Sequence, residues 1–260
     1  MNLIKPSFEI IEQAPSIQGV KKQIELAGRT CYKSESKITD TSCEEFVNRM
    51  VNSGHGAMLE HGTVYLYLPV DDANFSELAE KYTENKYTIV NQKQFVTTNY
   101  RVLVENGWLD DLQYQCEPTV LHEKRITVKF ILPISISREF IRHRTASFAE
   151  QSTRYCNYSR DKFGGELTFI KPYWYDQYKE EFESSCQYYE DTYMMAIESG
   201  LKAQEARELL PLCTKTELIM TAFVSDWEHF FKLRCHSTAH PQARELAVPL
   251  HQEFLNRNYL

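Results

Sequence analysis

Apolar side chains recur along this chain at two spacings, and each spacing predicts a kind of element. Between Ser16 and Ala27, Ile17, Val20, Ile24 and Leu26 fall near one side of a helix. A second helix is expected from Ser42, where Glu45 suits a capping box and Phe46, Met50 and Val51 form the apolar stripe. Asn52, Ser53 and Gly54 end it. Thr63 to Val70 is rich in Val, Tyr and Leu and predicts a strand, followed by a helix over Asp71 to Tyr82. Phe95 to Val104 has the β-branched and aromatic content of a hairpin strand, while the rest of Lys86 to Gln115 shows no clear period. Ile126 to Leu132 alternates Ile, Val, Phe and Leu with Thr, Lys and Ile, which predicts a strand.

The C-terminal half reads mainly as helix. Ile136 to Thr145 is expected to be helical, with Arg138, Arg142 and His143 near one another. Phe163, Gly164 and Gly165 mark a loop, and a long helix over Gln177 to Ser199 closes at Gly200. Ala203 to Leu210 predicts a short helix stopped by Pro211, and Thr216 to Val224 a strand. Ser225 with Glu228 suits a second capping box, opening a helix through Arg234. The last helix, Gln242 to Asn256, carries Pro249 and should break or kink there. With no internal repeat, low-complexity stretch or linker, the expectation is one α+β domain over 1–260, an antiparallel sheet packed against long helices.

Composition narrows the function classes. Hydrophobic residues make up 42% and charged residues 25%, which suits a packed core rather than disorder. The net charge of −7 argues against general nucleic-acid binding, which leaves a basic footprint. No apolar run has the length of a membrane span or a signal-peptide core, so no membrane partner and a cytoplasmic location are expected. The seven cysteines are scattered without a CxxC pair, so they read as reduced thiols and no metal site is expected. The 16 Tyr and 14 Phe suit a planar ligand or a large subunit interface as well as an ordinary core.

Against that acidic background, Arg138, Arg142, Arg144 and Arg154 lie close together. Arginines four residues apart on one helix face repel unless they share an anion, and a phosphate suits their planar donors. Ser147, Glu150, Gln151, Ser152 and Thr153 lie between them. Hydroxyls and backbone amides there can complete a phosphate site, and Glu150 can accept from a sugar hydroxyl. On an arbitrary Arg-rich helix the simpler reading is a solvated face with an Arg142–Glu139 pair.

The spacing decides between them. The run Arg142, His143, Arg144, Ser147, Glu150, Ser152, Arg154, Tyr155 resembles the signature of the flavin-dependent thymidylate synthases, RHR-x-x-S-x-N-E-x-S-x-R-Y. Only Ala149 departs, standing where that family usually has Asn. Gly54 to His61 resembles the family's GHxxxxEH segment, Ala206 to Leu212 its AR-x-x-LPL segment, and His229 to Arg234 its N-F-x-x-LR segment, with His229 in place of Asn. Residues 83–125 look like an insertion relative to compact members.

The resemblance implies the family's α+β fold and the reductive methylation of dUMP to dTMP, with FAD as cofactor and NADPH and 5,10-methylenetetrahydrofolate as cosubstrates. It implies a flavin side formed by His55, Ala57, Glu60, Arg142, His143, Arg144, Glu150 and His229. It places Glu139, Arg142, Glu150, Gln151, Ser152, Thr153, Arg154, Arg207 and Arg234 on the nucleotide. Arg234 is the implied activating group, a fixed cation beside the pyrimidine. Without the resemblance, Arg234 would read as an ordinary helix C-terminal arginine, Arg207 as a cover for helical carbonyls and His55 as a structural histidine. Ser152 has no evident general base and reads as a binding residue. The resemblance also implies a homotetramer with sites at subunit interfaces. Two alternatives remain: a methylase of another pyrimidine nucleotide such as UMP, or a silent flavin- or nucleotide-binding homologue.

Overall fold

The structure is a computed structural model that describes residues 1–69, 80–160 and 163–260. Its centre is a four-stranded antiparallel sheet in the order β2-β6-β9-β7, formed by β2 (Ser7–Ile11), β6 (Arg125–Pro133), β9 (Lys215–Phe223) and β7 (Ser147–Glu150). The alternation in β6 works as expected: Ile126, Val128, Phe130 and Leu132 enter one core with Leu218, Met220 and Ala222 of β9. Three helices cover that face: α5 (Ile134–Phe140), α8 (Val224–Arg234) and α9 (Pro241–Asn256). They supply Phe140, Trp227, Phe230, Leu246, Leu250 and Phe254.

α1 (Ser16–Tyr32) packs on the other side of the sheet, against β7 and β9. It continues past the expected end at Ala27 because its last turns are also buried. Gly28 makes this packing possible, since a Cβ there would lie 2.4 Å from the ring of Phe46 on α2 (Ser42–Asn52). α1, α2 and the short α3 (Gly56–Leu59) enclose a second core with the antiparallel sheet β3-β5-β4. Its strands are β3 (Thr63–Pro69), β4 (Lys86–Val90) and β5 (Lys93–Asn99). Residues 83–125 therefore carry a hairpin, then α4 (Tyr100–Glu105) and a 3-10 turn (Leu109–Tyr114). The strand expected over Phe95 to Val104 stops at Asn99, whose side chain accepts from the Val102 amide and starts α4.

A third core lies under the long α6 (Lys179–Glu198), beside the parallel pair β1 (Asn2–Ile4) and β8 (Thr168–Ile170). Gly200, at φ 97°, closes α6 as expected, and α7 (Ala203–Ala206) with a 3-10 turn (Arg207–Leu209) leads back to β9. None of the seven cysteines, all within the described residues, forms a disulfide. Among the described residues no helix is long and apolar enough to cross a membrane.

Several local expectations give way to tertiary contacts. The Ser42–Glu45 capping box does not form: Ser42 is already helical, and its hydroxyl donates to the Glu25 carboxylate at 2.8 Å. The Ser225–Glu228 box is likewise replaced, because Glu123 accepts from both the Ser225 amide and its hydroxyl. α9 runs through Pro249 without a break. The helix expected from Ile136 to Thr145 ends at Phe140. The His143 amide then bonds the Phe140 carbonyl and the Ala146 amide the His143 carbonyl, turning the chain into β7. The expected helix over Asp71 to Tyr82 lies, up to residue 79, outside the described residues.

Candidate functional site

The shortened α5 decides where the arginine-rich run points. Arg138 and Glu139 remain on the helix, His143 turns inward, and Arg142 and Arg144 are exposed. The i,i+3 pair between Glu139 and Arg142, which belongs to the simpler solvated-face reading, is not made. Glu139 instead takes Arg234 from the end of α8: Nη1 donates to Oε2 at 2.7 Å and Nη2 to the Glu139 carbonyl at 2.6 Å. Arg234 Nε donates to His143 Nε2 at 3.1 Å. A guanidinium has five N–H groups. These contacts use three and leave one on each Nη to meet a ligand. The cation is thus fixed before any substrate arrives.

His143 is buried. Burial, together with the positive Arg234 and the neighbouring His229, holds its pKa down at about 4. It is therefore neutral near pH 7, as accepting from Arg234 requires. The exposed His229 ring stands edge-on to it at 5.9 Å, and Phe230 packs on it at 5.0 Å. Glu139 and His143 from one segment, and His229 and Arg234 from another far along the chain, are one cluster here.

α5, the helix that supplies Glu139, also lines a cavity of about 610 Å³ with other residues than these four. Ser137 and Arg138 of α5 and the following Ile141 line it, with residues 150–153 from the end of β7, and Arg207 and Leu212 from the segment before β9. Glu150, Gln151, Ser152, Thr153 and Arg207 thus meet around one space. β7 does this positioning. Pairing of Ser147 to Glu150 with Thr221 to Leu218 of β9 points alternate side chains to opposite faces. Burial pushes the Glu150 carboxyl up, opposed by the Ser137 and Thr216 hydroxyls and Arg138. Ser152 is fixed by its backbone, its amide donating to the Cys31 carbonyl at 2.8 Å. Arg154 is exposed and lies over the Tyr155 ring. Arg138, given no ligand role from the sequence, lines the cavity. Its spacing from Arg142 within the run was the available signal.

Ala149, the position that departs from the signature, points the opposite way from Glu150. It is 2% exposed and packs with Ala27 and Ile219. This small apolar contact joins α1 to the sheet.

Gln151 connects the cavity to a charged interior. Its Oε1 accepts from Lys215 Nζ at 3.1 Å, and its buried Nε2 meets no partner among the described residues. Lys215 pairs with the buried Glu217, which also holds Lys33 at 2.5 Å and Lys129 at 2.7 Å. Burial pushes the Glu217 carboxyl up, but the three ammoniums outweigh it and keep its pKa near 2. This network was not legible in the sequence, because its lysines come from three distant segments.

His55, Ala57 and Glu60 sit on or beside α3, which packs against β7. Glu60 accepts from Arg101 at 2.5 Å. His55 opens onto a second cavity of about 680 Å³, shared with Tyr155 and with residues of α1 and α2. The structure therefore brings the GHxxxxEH segment to the signature strand but leaves it apart from the Arg234 cluster, with which it shares no hydrogen bond among the described residues.

Residues 76–257 match the model of the family described as thymidylate synthase complementing protein, and the chain belongs to that family. Among curated relatives, the flavin-dependent thymidylate synthase of Geobacter sulfurreducens is 33% identical over 118 residues, 44% of this chain and 49% of that one. The protein of the same name from Pyrococcus furiosus is 31% identical over 125 residues, 47% and 50% of the two chains. That of Mycobacterium avium is 21% identical over 228 residues, 86% and 71%. The chain spans about half the length of the first two relatives. A crystal structure of the UMP/dUMP methylase PolB from Streptomyces cacaoi, bound with 5-Br dUMP, aligns over 98% of this chain and 93% of its own. Its TM-score is 0.48 and its identity 17%.

Proposed function

We propose that this protein is a flavin-dependent thymidylate synthase, converting dUMP to dTMP with 5,10-methylenetetrahydrofolate and NADPH. The observation that carries the reading is the Arg234 clamp. A guanidinium fixed by Glu139 and His143, with two donors free, is held on α5, the helix whose Arg138 lines a cavity together with Arg207.

The nucleotide phosphate takes the Ser152 hydroxyl, Arg154 and Arg207, while Glu150 and Gln151 meet polar groups of the sugar and base. Arg234 then faces the pyrimidine. Negative charge grows on nitrogen 3 and the ring oxygens as carbon 5 becomes nucleophilic, and a fixed cation stabilises it without reorganising. Carbon 5 bonds to the one-carbon unit and releases its proton. Two electrons from NADPH bring that unit to a methyl group, and tetrahydrofolate leaves. Since none of this requires an enzyme thiol, the scattered cysteines fit.

The residues of the run also fit FAD. Arg142 and Arg144 are exposed cations that meet no carboxylate among the described residues, and diphosphate is the partner such donors favour. Bound FAD supplies the redox chemistry. Arg142, His143 and Arg144 would hold it, with His55, Ala57, Glu60, Glu150 and His229 around it. The homotetramer with interfacial sites belongs to the same proposal. Tyr173, Tyr188, Met195 and Leu212, all more than half exposed, are the surface that supports it.

The test is release of tritium from dUMP labelled at carbon 5, with FAD, NADPH and methylenetetrahydrofolate supplied. Protein that stays colourless after FAD is added, or that releases no tritium, overturns the reading. UMP turned over in preference to dUMP would assign the other pyrimidine nucleotide.

A further inference from the structure

Two thiols that the proposed chemistry leaves unused meet on the far side of the segment before β9. Cys186 belongs to α6, and Cys213 follows Pro211 and Leu212. Both line a cavity of about 810 Å³ whose walls include the exposed Trp174 and Leu212. Cys186 is buried in the third core, and Cys213 packs half-buried against it. The Cys186 thiol donates to the Cys213 sulfur. That contact, with burial, pushes the Cys186 thiol up. The same contact brings the Cys213 thiol down, against the opposing effect of burial. The two sulfurs are therefore unlike: Cys213 is the readier thiolate, and Cys186 keeps its proton.

A disulfide has an S–S bond of about 2.05 Å, so the two sulfurs must close from hydrogen-bond contact. α6 is a regular helix of 20 residues, so the shorter segment around Cys213 is the part that yields. That segment is tied to the nucleotide cavity. Leu212 lines both cavities. The Leu212 carbonyl accepts from the Ser135 amide at 3.1 Å, and the Thr214 carbonyl from the Ile134 amide at 3.1 Å. Residues 212–214 thus hold the first turn of α5, the helix that carries Arg138 and Glu139. Arg207 lies a few residues upstream on the same segment.

We propose that Cys186 and Cys213 form a reversible oxidation site for small hydroperoxides, and that their disulfide draws the segment before β9 toward α6 and loosens the nucleotide cavity. The Cys213 thiolate attacks one peroxide oxygen, the O–O bond breaks, and hydroxide leaves with the proton that the thiol gave up, as water. The Cys186 sulfur then attacks the resulting sulfenic acid. The S–O bond breaks, and the hydroxyl leaves with the Cys186 proton as a second water. The two thiols together lose two electrons and two protons, and the peroxide gains them. A reducing dithiol reverses the step by exchange. The effect on nucleotide rests on the thymidylate synthase reading, whereas the bond itself does not.

The test treats the FAD-loaded full chain with hydrogen peroxide, caps the remaining thiols with N-ethylmaleimide and maps the peptides without reduction. The α6 peptide and the peptide holding Cys213 should appear joined, and dithiothreitol should separate them. Cys186→Ser should stop at a sulfenic acid on Cys213, captured by dimedone, while Cys213→Ser should leave Cys186 unoxidised. Calorimetry should show dUMP bound on the order of tenfold more weakly by the joined form, the loss of about one charged contact, with recovery on reduction. If either variant does not fold, the peptide map of the unaltered protein decides. Oxidised cysteines without the Cys186–Cys213 link, a link that forms only in denaturant, or joined protein that binds dUMP as tightly as the reduced form overturns the proposal. Protein that forms the link yet binds no dUMP even when reduced keeps this site and loses the proposed activity.

Discussion

Glu217→Gln tests how the interior of the sheet supports the nucleotide cavity. Glu217 is 2% exposed and holds Lys33, Lys129 and Lys215. Its pKa falls from an ordinary 4.5 to about 2. At about 1.4 kcal/mol per pH unit, that drop corresponds to about 3 kcal/mol of folding free energy. The amide keeps the shape and removes the charge, leaving three ammoniums without their anion. A chain of this size loses about 2–4 °C of Tm per kcal/mol, so the variant should melt about 6–12 °C lower at pH 7. The folded pKa is depressed, so this stabilisation is present above pH 4.5 and fades as pH falls through 2. The gap between the two proteins should therefore narrow on acidification below pH 4.5. Circular dichroism melts from pH 7 to 3 measure it. Because Lys215 also holds Gln151, the KM for nucleotide should rise as well. A Tm within about 2 °C of the unaltered protein at pH 7, or a gap that does not narrow in acid, refutes the reasoning.

Three further outcomes are expected. Arg234→Ala should bind flavin normally, as read from its visible absorbance, yet release tritium from labelled dUMP at least about a hundredfold more slowly; turnover near the starting value would remove Arg234 from the mechanism. Ala149→Asn restores the usual family residue but should destabilise the fold by about 1–3 kcal/mol, because it forces an amide between Ala27 and Ile219. A stability in urea equal to that of the starting protein would show that the α1 contact can relax. Acid should also weaken the fold in a window set by two histidines. His61, buried and beside Arg125, has its pKa held down at about 3, and His143 at about 4. Below the unfolded value of about 6.5 the unfolded chain binds more protons, so stability should drop by about 2 kcal/mol between pH 7 and 5.5. His143→Gln should remove about half of that loss in urea titrations, and an unchanged loss would exclude it as a source.

The sequence determined on its own the elements whose signal is local, and the chemistry types. The alternation of β6, the stripe of α1 and the stop at Gly200 each follow from a few adjacent side chains, because burial and left-handed backbone act over one or two turns. The signature spacing likewise singled out Glu150 to Thr153, and the AR-x-x-LPL segment Arg207, which meet around one cavity. Tertiary structure decided what depends on partners distant in sequence. β7 is four residues of mixed polarity, and it is a strand because β9 pairs with it. That pairing ends α5 early, turns Arg142 and Arg144 outward and sends His143 inward. Glu139 then pairs with Arg234 rather than with Arg142, and Glu123 and Glu25 take the serines expected to cap their own helices. In each case a buried or charge-assisted contact outweighs a local preference worth about 1 kcal/mol. The Cys186–Cys213 contact was hidden for the same reason: one thiol comes from α6 and the other from the segment before β9, and only folding brings both to one cavity.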